Sequence, residues 1–255
     1  MADKHQPIAV FDSGVGGISV LRQLRKLLPR EHFLYYGDAA NAPYGTRTTE
    51  DVRRLTMEAA EYLIHKNIKA LVVACNTATA AAITTLRETY PELIVVGIEP
   101  ALKQAADHFP TGAVGVLATP VTLREEKFSR LAQQFPNMQV EAIPLPGLVE
   151  RIEQGCDRAG LEAFLTPFLA PYRGKLDAAV LGCTHYPFAA DAIQAILGPD
   201  TTLLDGSEGT ARETRRRLEA ADLLGNGPGN LTLESSSDDE AFLARCRALL
   251  SEEGL

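Results

Sequence analysis

The chain has 255 residues, 45% of them hydrophobic, and a net charge of −8 at neutral pH. That length supports one large domain or two of about 100–150 residues. The acidic balance, with no Lys/Arg-dense stretch interleaved with aromatics, excludes nucleic acid as the main partner.

A strand at Ile8–Phe11 runs into the loop Asp12-Ser13-Gly14-Val15-Gly16-Gly17. Ile18, Leu21, Leu24 and Leu28 then form an apolar stripe at helical spacing, which Pro29 ends. A second strand, Phe33–Tyr36, leads into Asp38-Ala39-Ala40-Asn41-Ala42-Pro43-Tyr44-Gly45, a stretch of turn-forming residues. Thr48, Thr49, Glu50 and Asp51 supply the cap and early acids of a helix start. Strands at Ala70–Ala74 and Ile94–Gly97 follow, and Ile98-Glu99-Pro100 begins a fresh series. In it, strands are expected at Ala113–Leu117, Val140–Ile143, Ala178–Leu181 and Thr202–Leu204, with a helix from Thr122 to Phe135. The tail reads as a helix from Glu208 to Leu224, a GNGPG loop at 225–229, a short strand near Leu231–Leu233 and a last helix from Asp238. The basic cluster Arg215-Arg216-Arg217 falls in the first of these helices among Glu213 and Glu219, as on a solvated face.

Several strands are continuous Val/Ile/Leu/Ala runs without polar alternation, the pattern of parallel strands buried on both faces. Strand–helix alternation predicts an α/β fold with right-handed crossovers. We expect two similar domains, each a mostly parallel sheet flanked by helices: residues 1–97 with a returning segment 206–255, and residues 98–205. The active site is expected in the cleft between them. No apolar run reaches the ~18 residues of a membrane span. The opening MADKHQPIAVFDSG lacks a secretion-signal pattern, so no membrane partner and a cytoplasmic location are expected.

Two stretches repeat a theme. LVVACNTATA (71–80) and VLGCTHYPF (180–188) each end an apolar run in a cysteine followed by small hydroxyl or amide residues. In a parallel α/β sheet, ligands bind beyond the C-terminal strand ends. Cys75 and Cys183 are predicted at that address, each ahead of a helix start, where dipole and unpaired N–H groups favour thiolate. Shifting an ordinary thiol to a neutral pKa takes about 2 kcal/mol. Cysteine is also a common core residue, and Cys156 and Cys246 carry no such context. The four cysteines form no CxxC pair, so no metal site is expected.

Other residues are predicted at the same edge. The strand–Gly loop–helix unit at 11–17 presents N–H groups to a phosphate or carboxylate. It departs from the dinucleotide fingerprint, because Ser19 stands at the third glycine position. Asp12 either forms the loop or faces a ligand, Thr119 caps a helix or faces the same ligand, and His185 lies two residues from Cys183, where it can orient substrate, tune the thiol or move protons. A non-catalytic amino-acid-binding module and a nucleotide-dependent oxidoreductase are two readings that this edge also allows.

FDSGVGG (11–17), YYGDAANAPYG (35–45), ACNTATA (74–80), VGVLAT (114–119), PLPGLVE (144–150) and GCTHYPF (182–188) stand in an order and spacing that resemble the glutamate racemases of the aspartate/glutamate racemase family. The resemblance covers most of the chain. His185 stands where aspartate racemases typically differ. It implies cofactor-independent interconversion of L- and D-glutamate, supplying D-glutamate for peptidoglycan, by a homodimer. It makes Cys75 and Cys183 the two acid/bases, acting on D- and L-glutamate respectively, and has Asp12, His185 and Glu150 assist. It makes Asp12, Ser13, Pro43, Tyr44, Gly45, Asn76, Thr77, Thr119, Thr184 and His185 substrate contacts. Whether Asp12 binds the substrate ammonium or accepts the thiol proton stays open at this point.

Overall fold

The computed structural model describes residues 3–98, 101–124, 126–237 and 239–251. Glu99, Pro100 and Asp238, on which part of the expected boundaries falls, lie outside them. The chain divides into two compact units, Met1–Glu99 with Ser207–Leu255, and Pro100–Gly206.

Among the described residues, the first unit holds strands β1 (Ile8–Asp12), β2 (Phe33–Gly37), β3 (Ala70–Val73), β4 (Ile94–Gly97) and, from the returning segment, β9 (Leu231–Ser235). The second holds β5 (Ala113–Ala118), β6 (Gln139–Pro144), β7 (Ala178–Leu181) and β8 (Thr202–Asp205). The first sheet has the order β4-β3-β1-β2-β9 and the second β6-β5-β7-β8. Every pairing is parallel. All residues of β1, β2, β3 and β7 are buried, the apolar ones as parallel strands covered on both faces require, and Asp12 at the end of β1 with them.

Read in chain order, each unit's first four strands follow the same plan. The second strand lies on one side of the first; the third lies on the other side and the fourth outside it. The chain therefore reverses direction between first and third strands, β1 and β3 in one unit, β5 and β7 in the other. Such a switch point leaves a crevice at the C-terminal strand ends. Asp12 ends β1 and Cys75 follows β3; Thr119 follows β5 and Cys183 follows β7.

The helix expected from Thr122 to Phe135 is described as two, Pro120–Arg124 and Glu126–Ala132; residue 125 lies outside the described residues. The helix expected to reach Leu224 spans Ser207–Ala220. It stops because Asp222 turns left-handed (φ 55°) and the Leu223 N–H donates to the Leu218 carbonyl at 2.9 Å, a closure that satisfies a terminal carbonyl.

A buried ion pair fastens the segment beyond this stop. The Lys69 ammonium donates to Glu31 Oε2 (2.6 Å), the Lys4 carbonyl (2.7 Å) and the Leu223 carbonyl (2.9 Å). The Gly225 N–H donates to Glu31 Oε1 at 2.6 Å. Three acceptors around one ammonium offset much of the cost of withdrawing it from water. No helix among the described residues is long and apolar enough to cross a membrane.

Candidate active site

In the first unit the switch point gathers most of the expected residues. Cys75 is the N-cap of the helix Asn76–Thr89, and its sulfur accepts the Ala78 N–H at 3.4 Å. Ser13 Oγ lies 3.6 Å from the same sulfur. A cap position puts negative charge on sulfur against the positive end of the helix. Asp12 is fully buried, and its Oδ1 accepts the Gly14 N–H at 2.9 Å. Gly17 must lack a side chain, because a Cβ there would lie 2.6 Å from Asp12 Cβ and 3.1 Å from Ala74 Cβ.

The loop after β2 is organised by Asp38, a residue the sequence reading did not single out. Its N–H donates to the Asp12 carbonyl at 2.9 Å. Its carboxylate accepts the Tyr44 hydroxyl at 2.6 Å and the Asn41 amide at 3.0 and 3.2 Å. The Ala42–Pro43 bond is cis, and Tyr44-Gly45-Thr46 form a single 3-10 turn. Burial raises the Tyr44 pKa, and the hydrogen bond to Asp38 and the negative charges of Asp38, Cys75 and Asp12 raise it further, so the phenol stays protonated as a donor. The turn chemistry of this stretch is real and also sets Tyr44 within the field of the candidate thiol.

Asn76 and Thr77 are buried in the first turn of the capped helix. The Asn76 Oδ1 is buried and finds no hydrogen-bond partner among the described residues. A buried acceptor without a partner costs about 1–3 kcal/mol, so a bound donor such as an ammonium would relieve it.

The second unit treats its thiol differently. Cys183 is buried but caps no α-helix: a 3-10 turn, Tyr186–Ala189, begins three residues on, and the α-helix starts only at Ala190. Pro187 sits in the first turn of the 3-10 segment, as its fixed φ favours. The neighbouring imidazole takes the place of the helix cap, with His185 Nδ1 3.8 Å from Cys183 Sγ. On its far side, His185 Nε2 is 2.9 Å from Glu153 Oε1. Burial works against charge on this ring. The hydrogen bonds to Cys183 and Glu153, with their negative charges, outweigh it and lift the histidine pKa well above its ordinary range.

Glu150 and Glu153 both lie on the short helix Leu148–Glu153, three residues apart and so on one face. That helix starts from Gly147, whose left-handed φ of 86° suits glycine. Burial raises the pKa of Tyr186, and the charges of Cys183 and Glu150 push it the same way, which places both groups within electrostatic reach of one phenol. The Tyr186 hydroxyl donates to the Leu145 carbonyl at 3.3 Å. Glu153 was missed in the sequence, although its i+3 spacing from Glu150 was a usable signal. Thr184 is buried beside Cys183. Thr119 accepts the Thr122 N–H at 3.3 Å and so also caps a helix.

Chemically, each unit offers a buried thiol beyond the third strand with proton-handling groups close by: Ser13 and Asp12 in one, His185 and the Glu150/Glu153 pair in the other.

Comparison with known proteins adds an independent line. Residues 13–214 match the family model described as Asp/Glu/Hydantoin racemase. The chain is 45% identical over 252 residues to the glutamate racemase of Clostridium perfringens (strain ATCC 13124), covering 97% of each chain. Among solved structures, it is similar to glutamate racemase from Thermus thermophilus in complex with beta-chloro-D-alanine. That match has 40% identity and a TM-score of 0.84, over 99% of this chain and 96% of the other. It is also similar to glutamate racemase from Francisella tularensis in complex with D-glutamate, at 28% identity and a TM-score of 0.86, over 99% and 96%.

Proposed function

Because the chain belongs to the Asp/Glu/Hydantoin racemase family, we propose that it interconverts L- and D-glutamate, with Cys75 and Cys183 as two acid/bases on opposite faces of Cα. The observation that carries this reading is the repeat: the same strand plan occurs twice, and each copy sets a buried thiol just beyond its third strand. Such a pair inverts a carbon centre without either a base crossing the molecular plane or the intermediate turning over: one group takes a proton from one face and the other returns one to the opposite face.

The thiolate forms a new S–H bond with the Cα proton, and the C–H electron pair stays on the substrate. The second thiol then delivers its proton, and the two sulfurs have exchanged states. The developing negative charge is met by donors: the N-terminal N–H groups of helix Asn76–Thr89 and the side chains of Ser13, Thr77 and Thr184. The Asn76 Oδ1, which has no hydrogen-bond partner among the described residues, is suited to the substrate ammonium. Pro43, Tyr44, Gly45 and Thr119 complete the substrate contacts. Asp12 assists Cys75; His185 and Glu150 assist Cys183. The chain's own residues supply all the acid–base chemistry, and no cofactor takes part. We further propose that the enzyme works in the cytoplasm as a homodimer and supplies D-glutamate for peptidoglycan.

The test is a racemisation assay in D₂O with both enantiomers of glutamate and of aspartate. The wild-type enzyme should place deuterium at Cα of the product glutamate from the first turnover, and Cys75→Ala and Cys183→Ala should each abolish racemisation. Full racemisation by both variants would end the two-thiol mechanism. Binding of glutamate without Cα exchange would leave a binding module, and a preference for aspartate would reassign the substrate. Restoration of growth without added D-glutamate in a D-glutamate-requiring bacterium tests the cellular role, and equilibrium sedimentation tests the dimer.

A further inference from the structure

The last helix of the first unit, Glu240–Ser251, carries no residue of the two-thiol scheme. Its half-buried Phe242 nevertheless reaches the exits of both β1 and β2. Gly37 ends β2 with a φ outside the left-handed region, so its backbone does not demand glycine; the space around it does. A Cβ there would lie 2.9 Å from Phe242 Cε1, closer still to Cζ, and 3.0 Å from the Gly14 carbonyl oxygen. Glycine in a strand often marks the close approach of another group. Here that group is an aromatic ring from the far end of the chain. The residues beside this contact, Gly14 and Asp38, are the two that hold Asp12. The Gly14 N–H donates to Asp12 Oδ1 and the Asp38 N–H to the Asp12 carbonyl, each at 2.9 Å. The Tyr35 hydroxyl in turn donates to the Gly14 carbonyl at 2.7 Å. The returning segment also grips the second loop directly: the Ser236 N–H donates to the Gly37 carbonyl and Ser236 Oγ accepts the Ala40 N–H, each at 3.0 Å.

We infer that Phe242 is a positioning residue for Asp12: its ring fills the space over Gly37 and keeps the Gly14 and Asp38 N–H groups where they orient that residue. This deepens the proposed function and rests on it, because Asp12 is the group proposed to assist Cys75. Phe242 gains and loses no proton, and its effect passes through the backbone. Without the ring, Gly37 and Gly14 can close on the vacated space, and Asp12 shifts with them. Misplacing a reacting group by about 1 Å can cost about 100-fold in rate. An apolar side chain that served only to anchor its helix would not need a bare backbone beneath it.

The experiment compares Phe242→Ala, Gly37→Ala and the double variant with wild type. Values of kcat and KM are measured for both enantiomers of glutamate, at a temperature where circular dichroism shows each protein folded. F242A should lower kcat by about 10- to 100-fold, and Phe242→Leu, which refills much of the volume, should restore a good part of it. G37A should lower kcat too, since its methyl displaces the ring. In the F242A background that methyl enters the vacated space, so the further loss should be smaller than the loss G37A causes alone, the non-additivity of residues in contact. An unchanged kcat in folded F242A would leave Phe242 a helix anchor only and overturn the inference, as would strictly additive losses in the double variant. If F242A does not fold, Phe242→Leu, alone and combined with G37A, carries the same comparison with a smaller loss expected. Absence of glutamate racemisation by the wild type would instead sink the proposed function, and this inference with it.

Discussion

The hydroxyl of Ser13 and the sulfur of Cys75 lie 3.6 Å apart, although 62 residues separate them in the chain. They meet because β1 and β3 are neighbours in the sheet and both loops leave at the same edge. Ser13→Ala should lower kcat/KM about 10-fold, the scale of one hydrogen bond to a charged group, with little change in melting temperature. Steady-state racemisation and thermal denaturation of the same preparation check both halves of the expectation.

The imidazole of His185 makes stability depend on pH. Its pKa is raised in the folded chain, so the folded state holds its proton more tightly than the unfolded state does. The stabilisation is fully present below the unfolded histidine's pKa of about 6.5 and is lost as pH rises through the folded value. His185→Gln should remove this descending arm. Urea unfolding at a series of pH values should show the wild type's advantage over the variant shrinking above neutrality.

The Lys69–Glu31 pair lets two substitutions be distinguished. Side-chain exposure is 0% for the lysine and 2% for the glutamate, so Lys69→Met leaves a buried carboxylate without its cation. A loss of about 3–5 kcal/mol is expected. Adding Glu31→Gln should recover a good part of it, because the remaining groups are then neutral. Denaturant midpoints of the single and double variants test this, and the surviving folded enzyme should keep its kcat.

Gly17→Ala should cost stability and activity together. Its added methyl would meet Asp12 Cβ at 2.6 Å, and neither atom is at the end of a flexible side chain. Overpacking of this kind costs about 1–3 kcal/mol, and the residue displaced is one proposed to assist Cys75. A fall in both melting temperature and kcat is the expected result; a change in neither would mean that the loop yields freely.

The strands were legible because parallel strands buried on both faces must be continuously apolar, and Ile94–Gly97 and Ala178–Leu181 match the structure end for end. Both thiols were legible for a related reason: a polar, small-residue break after such a run marks a strand's exit. What sequence could not resolve depended on geometry at side-chain scale. The two thiols read alike, yet one caps a helix and the other faces an imidazole, a difference set by where the turn at Tyr186–Ala189 begins. Asp38 looked like a turn former because its hydrogen bonds to Tyr44 and Asn41 are invisible without coordinates. Glu153 was hidden because its partner His185 lies 32 residues away.

The strand β9 joins the first sheet alongside β2, yet it is encoded after the whole of the second unit. As the polypeptide leaves the ribosome, the inserted unit therefore has all of its strands available while the N-terminal sheet still waits for its last member. Until Leu231–Ser235 emerges, the edge at Phe33–Gly37 is open to pairing with another chain. Biosynthesis of this molecule thus carries a late, edge-sealing event that a purified, finished chain refolding from denaturant would not be obliged to repeat in that order.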